Sequence, residues 1–341
     1  MSEGKYEKYT SCKWLESGVC FDNGVYGSNV KLCCYMSAPG GGNTMIFEDY
    51  HGKKIDWNEF FRIKQAYRDI QKSGKTVKGC VGCVFLEEKE WLQEDYIDHI
   101  IIDHFTKCNC ACKYCYTEED KKRYNSLKTY NLYPIIKDMF DKKIIRTGGA
   151  IGFGGGEPTI LPEFDKLIDL FLKNCFTNMR VPSSGIKYSK MIEKGISTGQ
   201  LTVVVSIDSS DRETYKEIKQ IDAYKTVTKN LIKYAKAKKN THYGVISKYI
   251  IIPGANDTKY QIDAWLNFNK ENNIEVIVID IENSWLEKYR ENEPDERIVD
   301  LLKYVVNKAK EMNFYALEIC DRARYLLKTD NPVIKIAANE K

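Results

Sequence analysis

The sequence predicts an α/β fold in which a parallel sheet flanked by helices follows a small, loop-rich and cysteine-rich segment. From about residue 95 onward, apolar strand-like segments alternate with amphipathic helical segments at intervals of about 35 residues. The first 92 residues differ, because they are rich in glycine and hold six of the twelve cysteines. Alternating strands and helices form a parallel sheet with right-handed crossovers, which either stays open or curls into a partial barrel.

Composition narrows the class of protein. The hydrophobic fraction is 43% and the charged fraction 29%, as in a soluble globular protein of 341 residues. Lysine and arginine (52) nearly balance aspartate and glutamate (48), which argues against a broad nucleic-acid-binding surface. The sequence shows no apolar run of roughly 18 residues and no secretory signal. We therefore expect a cytoplasmic protein with neither a membrane nor a nucleic-acid partner.

The cysteine-rich segment predicts a metal site. A strand is expected at residues 29–32 and a helix at 56–73, with Asp56 as its N-cap. A reducing compartment disfavours disulfides and favours metal ligation. The predicted ligands are Cys20, Cys33 or Cys34, Cys80 and Cys83, with Cys12 as a spare. Four thiolates bind either zinc or a [4Fe–4S] cluster, and spacing does not choose between them.

The repeating part of the chain is predicted to have six strands. These are residues 97–105, 150–153, 175–182, 201–207, 243–252 and 274–279. The predicted helices are residues 130–143, 164–172, 188–194, 212–238, 261–269 and 297–312. Three domains follow from this pattern: the cysteine-rich module at 1–92, the α/β core at 93–290, and a helical extension closing the barrel at 291–341.

Chemistry is expected where the strands end, because ligands of parallel sheets bind at the carboxyl ends of the strands. The first strand is followed by Cys108, Cys112 and Cys115, spaced C-x3-C-x2-C. Three thiolates at this spacing indicate a metal or an iron–sulfur cluster. The second strand is followed by the glycine-rich run 154–156 and then Glu157, where glycines let a ligand approach the backbone.

Together these two motifs resemble the radical S-adenosylmethionine (radical SAM) superfamily, which has a partial (β/α)6 TIM-type barrel. The residues that carry the resemblance are Cys108-Asn109, Cys112, Tyr114-Cys115-Tyr116 and Gly155-Gly156-Glu157-Pro158. The resemblance implies that Cys108, Cys112 and Cys115 bind three irons of a [4Fe–4S] cluster, which leaves the fourth iron to S-adenosylmethionine. Cys110, between the first two ligands, is interpreted as a bystander. The alternative is a zinc site drawn from His104 and the cysteines of this stretch.

The resemblance also implies contacts to S-adenosylmethionine. Tyr114 is expected against the adenine, and the run Gly155, Gly156, Glu157 and Pro158 at the methionine amino group. Ser206 and Asp208 are expected at the ribose and carboxylate, and Ser183 follows the third strand where the family often has a polar residue. No histidine or carboxylate has a partner that would identify it as a catalytic acid or base.

The implied reaction is reductive cleavage of S-adenosylmethionine to methionine and a 5′-deoxyadenosyl radical, which abstracts hydrogen from a substrate C–H bond. It requires an electron donor of the flavodoxin or ferredoxin type. The cysteine-rich segment resembles a twitch or SPASM module, which implies a second, auxiliary [4Fe–4S] cluster and a peptide, protein or carbohydrate-type substrate. The alternative function is a non-catalytic zinc or iron–sulfur scaffold, or a redox sensor, on the same fold.

Overall fold

The computed structural model describes residues 5–24, 27–34, 44–115, 129–239, 241–282 and 295–336. It confirms the predicted α/β class with a largely parallel sheet. The chain forms two compact units. Unit 1 comprises residues 1–107, 120–156 and 161–179, and unit 2 comprises residues 108–119, 157–160 and 180–341. No helix in the described ranges is long and apolar enough to cross a bilayer.

Unit 1 contains the cysteine-rich segment and the first two strands of the predicted core. Its strands are β1 (Tyr6–Ser11), β2 (Gly18–Gly24), β3 (Gly27–Lys31), β4 (Met45–Phe47), β5 (Glu87–Leu92), β6 (Ile97–Asp103) and β7 (Ile145–Phe153). Its helices are α1 (Lys13–Ser17), α2 (Trp57–Lys72), α3 (Tyr133–Asp141) and α4 (Phe164–Lys173). The sheet order is β4-β3-β2-β6-β7, and β1 pairs with β5 in a separate antiparallel ribbon.

The cysteine-rich segment extends the sheet of the core. β2 runs parallel to β6, with Gly18 opposite His99 at one end and Asp22 opposite Asp103 at the other. β6 in turn pairs parallel with β7. The predicted boundary after residue 92 therefore falls between β5 and β6, inside unit 1.

Helix α2 begins where the sequence predicts. The Asp56 carboxylate accepts hydrogen bonds from the backbone N–H groups of Asn58 (3.0 Å) and Glu59 (3.3 Å), which confirms the N-cap. On the buried face, Arg68 donates to the Glu16 carboxylate of α1 at 3.0 Å. This buried ion pair attaches α2 to α1.

Unit 2 contains the remaining strands and helices. Its strands are β8 (Met179–Ser183, whose first residue lies in unit 1), β9 (Leu201–Ser206), β10 (Val245–Ile251), β11 (Val276–Ile281), β12 (Ala316–Ile319) and β13 (Val333–Lys335). Its helices are α5 (Lys190–Ser197), α6 (Arg212–Lys219), α7 (Tyr224–Ala237), α8 (Lys259–Glu271), α9 (Glu296–Glu311) and α10 (Asp321–Leu327). β9 through β12 are parallel in chain order, and every residue of β11 is buried, as expected for a strand covered on both faces.

Two predictions for this unit are wrong. The predicted helix 212–238 is two helices, because Gln220 takes a left-handed conformation (φ 56°) that ends α6. The predicted helical extension after residue 291 contains two strands as well as α9 and α10. β12 pairs parallel with β11, and β13 pairs antiparallel with β12. Such short strands show little periodicity in sequence, and their hydrogen bonds come from distant partners.

Candidate active site

The cysteine loop, residues 108–115, is attached to the end of helix α6. The Ala111 N–H donates to the Lys219 carbonyl at 3.2 Å, and the Lys113 N–H donates to the Ile218 carbonyl at 2.9 Å. The last carbonyls of a helix have no partner within the helix, so this end can accept bonds from a passing loop. A turn closed by the Cys115 N–H and the Cys112 carbonyl (3.0 Å) completes the loop. The helix end thus fixes the path of the cysteine motif.

Three thiols of this loop interact. Cys110 is buried, and its side chain is hydrogen-bonded to those of Cys108 and Cys112. These hydrogen bonds are the largest influence on both neighbours, and they lower the pKa of the Cys108 and Cys112 thiols against the opposing effect of burial. The same contacts, together with burial, raise the pKa of Cys110. Cys110 thus contacts two of the predicted ligands, and its interpretation as a bystander to the cluster stays a prediction.

In unit 1, the glycine motif packs tightly against the chain that leads into the cysteine loop. A Cβ on Gly155 would lie 2.2 Å from the Phe105 carbonyl oxygen, and one on Gly156 would lie 2.0 Å from that of Lys107. The Gly156 N–H donates to the Phe105 carbonyl at 3.0 Å. These glycines are thus required by contact between two loops of the protein, whereas the sequence argument attributed them to the approach of a ligand.

In unit 2, Glu157 is buried and held by several donors. Its Oε1 accepts a hydrogen bond from Ser183 Oγ at 2.9 Å. The same oxygen accepts two bonds from Thr159, one from Oγ1 at 2.5 Å and one from the backbone N–H at 3.2 Å. Its Oε2 accepts from the Ser184 N–H at 2.6 Å. The Ser184 hydroxyl donates to Asn109 Oδ1 at 3.0 Å, which ties this group to the cysteine loop. Predicted residues Glu157 and Ser183 are therefore neighbours, and Pro158, next to Glu157 in the chain, is buried.

A second polar group surrounds Tyr114. Its hydroxyl donates to Asp208 Oδ2 at 2.5 Å and accepts from Lys219 Nζ at 2.6 Å. Lys219 also forms an ion pair with Asp208. Both charged side chains are almost fully buried, at 3% exposure for Lys219 and 0% for Asp208. Burial acts to lower the pKa of Lys219, but the Asp208 carboxylate and Cys112 outweigh it and raise the pKa, which keeps the ammonium charged.

Asp208 binds donors of the protein itself. Besides Tyr114 and Lys219, it accepts the backbone N–H of Ile250 at 2.7 Å. Its position thus supports Tyr114 directly, whereas the predicted contact to S-adenosylmethionine stays a prediction. Ser206 is half-buried at the end of β9 and lies beside Lys248 of β10 in the parallel register.

Lys219 was missed by the sequence argument. It ends a charged helix, Arg-Glu-Thr-Tyr-Lys-Glu-Ile-Lys, where a lysine is normally solvated. Its only sequence signal is its place on the same helical face as the buried residues Tyr215 and Ile218.

Comparison with known proteins identifies a family domain within the chain. The model of the Radical SAM superfamily matches residues 102–265. The chain contains a radical SAM domain. That domain spans β6 to α8 and includes the cysteine loop, the glycine motif and Lys219. The match does not include the first 101 residues, so the resemblance of the cysteine-rich segment to a twitch or SPASM module stays a prediction.

Relatives of this chain include proteins named GTP 3′,8-cyclase. The chain is 27% identical over 198 residues to the GTP 3′,8-cyclase of Clostridium botulinum strain Hall, an alignment covering 54% of this chain and 56% of that protein. It is 24% identical over 240 residues to the probable GTP 3′,8-cyclase of Pyrococcus abyssi, covering 67% and 72%. The chain thus spans only about half the length of the Clostridium relative.

A solved structure shares the fold. SuiB of Streptococcus suis, bound to the precursor peptide SuiA, superposes with a TM-score of 0.52 at 14% identity, covering 83% of this chain and 58% of that one. Together with the family match, this similarity is consistent with the predicted partial TIM-type barrel.

The radical SAM family implies a [4Fe–4S] cluster and S-adenosylmethionine, and the chemistry of the loop fits the cluster. Iron binds thiolate, and the pKa values of Cys108 and Cys112 are both lowered. These two residues and Cys115 would hold the cluster. Among the described residues, the cysteine loop included, no three His, Cys, Asp or Glu side chains already stand in metal-binding geometry.

The N-terminal cysteines include two groups of electrostatic neighbours, and their predicted role as ligands stays a prediction. Cys12, Cys80 and Cys83 influence one another electrostatically. Cys20 is instead influenced by Cys34, which follows β3. Burial is the main reason why the pKa values of Cys12, Cys20, Cys34 and Cys80 are all raised. The spare residue Cys12 is thus a neighbour of Cys80 and Cys83, while the described structure gathers no four-thiolate site from Cys20, Cys33, Cys80 and Cys83.

Proposed function

We propose that this chain is a radical SAM enzyme whose cluster is held by Cys108, Cys112 and Cys115. When bound, the cluster and S-adenosylmethionine supply the 5′-deoxyadenosyl radical that abstracts hydrogen from a substrate C–H bond. The observation that carries the proposal is the cysteine loop itself, with two thiols of lowered pKa fixed at the end of α6. A donor of the flavodoxin or ferredoxin type would supply the electron.

The protein's own groups would bind and orient S-adenosylmethionine. Glu157 Oε2 has one described donor, the Ser184 N–H, and a carboxylate oxygen can accept a second bond from the ligand's ammonium group. Tyr114 packs against the buried residues Ile218, Ile250 and Ile252, as does Ala255, and this apolar surface suits an adenine. Ser206 would contact the ribose. Asp208 would act through Tyr114, because its carboxylate is held by Lys219, Tyr114 and the Ile250 N–H.

The test is formation of 5′-deoxyadenosine. Protein reconstituted anaerobically with iron and sulfide is mixed with dithionite and S-adenosylmethionine, and the products are quantified by mass spectrometry. We expect 5′-deoxyadenosine from the wild type and a loss of at least about 100-fold in Cys112→Ala, because a cluster with two thiolates cannot be held in the same way. Cys175→Ala, which alters an exposed cysteine, is the matched control and should retain full yield.

Two outcomes would contradict the proposal. A fully loaded wild type that forms no 5′-deoxyadenosine supports the alternative of a non-catalytic scaffold or redox sensor. A full yield of 5′-deoxyadenosine from Cys112→Ala would show that the reaction does not depend on the cysteine loop.

Two observations, the predicted auxiliary module and the names of the relatives, favour different substrate classes. The predicted auxiliary module favours a peptide, a protein or a carbohydrate-type molecule. The relatives named GTP 3′,8-cyclase, whose alignments cover 54% and 67% of this chain, favour a purine nucleoside triphosphate. The same assay with GTP or with peptides added distinguishes them, because a true substrate changes the yield of 5′-deoxyadenosine and is itself consumed.

We also propose a second metal site in the cysteine-rich segment. Supporting it, Cys12, Cys80 and Cys83 are electrostatic neighbours although 67 residues or more separate Cys12 from the other two. An auxiliary [4Fe–4S] cluster predicts about eight irons per loaded chain, falling to about four in Cys80→Ala. The predicted ligand Cys20 is substituted by alanine and tested by the same measurement of iron content. About four irons in the wild type, with one zinc, would instead indicate a structural zinc site.

A further inference from the structure

The sheet of unit 2 has one face that changes from apolar to charged toward the carboxyl ends of its strands. The parallel register aligns the side chains of this face in rows, and the first row is apolar: Val204, Ile246, Val276 and Ala316. The next row contains Lys248 and Glu318, and the row after it contains Asp280. The opposite face is covered, since Trp265 of α8 donates to Ser247 of β10 at 2.8 Å. The charged rows therefore lie where ligands of parallel sheets bind.

An ion pair between β8 and β12 shows that the charged face is concave. The Arg180 guanidinium donates to the two carboxylate oxygens of Glu318 at 3.1 and 2.6 Å. In a flat sheet these two strands, with β9, β10 and β11 between them, would lie about 19 Å apart. A direct ion pair across that distance requires the sheet to curve toward this face. Arg180 and Lys248 therefore line the same concave surface.

In the ion pairs of the concave surface, the cation is more exposed than its carboxylate. The Lys248 side chain is 20% exposed and that of Asp280 1%, while Arg180 is 45% exposed and Glu318 16%. Asp280 is also bound by the Arg322 guanidinium, so it does not depend on Lys248 for its charge partner. The Lys248 ammonium has three N–H donors and one described acceptor, Asp280 Oδ2 at 3.1 Å. Donors of both cations thus remain available on the open side of the sheet.

We propose that Lys248 and Arg180 bind an anionic group of the substrate, either a carboxylate or a phosphate. The inference rests on the proposed function, whose substrate it describes. Charge-assisted hydrogen bonds from a partly buried concave surface are the strong contacts by which proteins hold such groups. Lys248 and Glu318, which holds Arg180, lie in one row two strands apart, so about 10 Å separates their backbones. One small substrate can contact both cations across that distance.

The two cations lie near the proposed adenine surface. Asp280, the acceptor of the Lys248 ammonium, stands opposite Ile250 in the parallel register. Tyr114 packs against the apolar cluster that contains Ile250. An anion held by Lys248 would thus place its substrate beside the proposed site of S-adenosylmethionine, as hydrogen abstraction requires.

The experiment is isothermal titration calorimetry of the reconstituted protein with two probes, tripolyphosphate and glutarate, each with and without saturating S-adenosylmethionine. We expect at least one probe to bind, and the tighter one indicates whether the substrate group is a phosphate or a carboxylate. Lys248→Met should weaken binding at least about tenfold, because a charge-assisted hydrogen bond is lost. Lys248→Arg keeps the charge and should stay within about threefold of the wild type. Lys303→Met, which alters an exposed lysine of α9, is the matched control and should bind as the wild type does.

A pair of variants at the other cation separates charge from structural damage. Arg180→Met removes a positive charge and should weaken binding of the probe about tenfold. Glu318→Gln removes the negative charge that Arg180 faces, so it should tighten binding at least about threefold. Damage to the curved sheet would weaken binding in both variants. If Lys248→Met does not fold, this pair decides the question, because both of its residues are more exposed than Asp280 and Lys248 is intact.

Four results would overturn the inference. These are a wild type that binds neither probe, wild-type affinity in both Lys248→Met and Arg180→Met, equal weakening in Lys303→Met, or shifts of the same sign in Arg180→Met and Glu318→Gln. Loss of probe binding in the presence of S-adenosylmethionine would also overturn it, because the cations would then belong to the cofactor's site. A wild type that binds a probe but forms no 5′-deoxyadenosine contradicts the proposed function alone.

Discussion

Asp103 and Asp208 show how surroundings decide what the same side chain does. Asp208 is held by the Lys219 ammonium, the Tyr114 hydroxyl and a backbone N–H. Asp103 ends β6, and the parallel register places it beside Asp22 of β2. Burial, reinforced by the Asp22 carboxylate, raises the pKa of Asp103 to about 7. The Asp208 carboxyl group positions other residues, whereas the Asp103 carboxyl group is destabilised in its ionised form.

This difference predicts a pH dependence of stability. The pKa of Asp103 is higher in the folded protein, at about 7, than the roughly 3.9 of an unfolded aspartate. Its contribution to stability is therefore fully present below about pH 4 and is lost as the pH rises to about 7. Asp103→Asn removes this loss. Between pH 4 and pH 7 the variant should gain on the order of 3 kcal/mol relative to the wild type, measured by urea unfolding.

Asp141→Asn, an exposed carboxyl group on α3, is the control for this measurement. It should follow the wild type across the whole pH range. Parallel pH profiles for Asp103→Asn and the wild type would show that Asp103 is not destabilised when ionised.

Helices and strands were predictable where the chain is long and periodic, and less so elsewhere. α2, α4 and α9 begin within a residue or two of their predicted starts, since amphipathic spacing and capping residues are local signals. β12 was missed because four residues carry little pattern and its hydrogen bonds come from β11. The end of α6 was missed because the residue in the left-handed conformation there is Gln220, whereas the usual sequence signal for such a helix end is a glycine.

The same division applies to the candidate site. The cysteine loop and Glu157 could be located from sequence, because their spacing is specific and they follow strands of a parallel sheet. Cys110 and Lys219 could not be assigned, since their roles depend on contacts with residues elsewhere in the loop or far along the chain. Lys219 and Tyr114 are 105 residues apart, and no local pattern connects them.

Across the molecule, the main difference from the sequence prediction is the relation of the cysteine-rich segment to the core. The sequence indicated a separate module at residues 1–92. In unit 1, however, β2 lies between β3 and β6, and Val19 and Phe21 of β2 are fully buried. A central strand supplies hydrogen bonds to both neighbours, so removing it exposes a long apolar edge on β6.

We therefore expect that a chain starting at residue 93 does not fold independently. Its β6 edge, with Ile100 and Ile102 fully buried in the intact protein, would be exposed to solvent and to other chains. Size-exclusion chromatography should show aggregates, and urea unfolding should lack a cooperative transition. A chain starting at residue 5 retains every described strand and should behave as the full-length protein. A monomeric chain 93–341 with cooperative unfolding would instead establish a domain boundary at residue 92, because β6 would then be stable without its parallel partner.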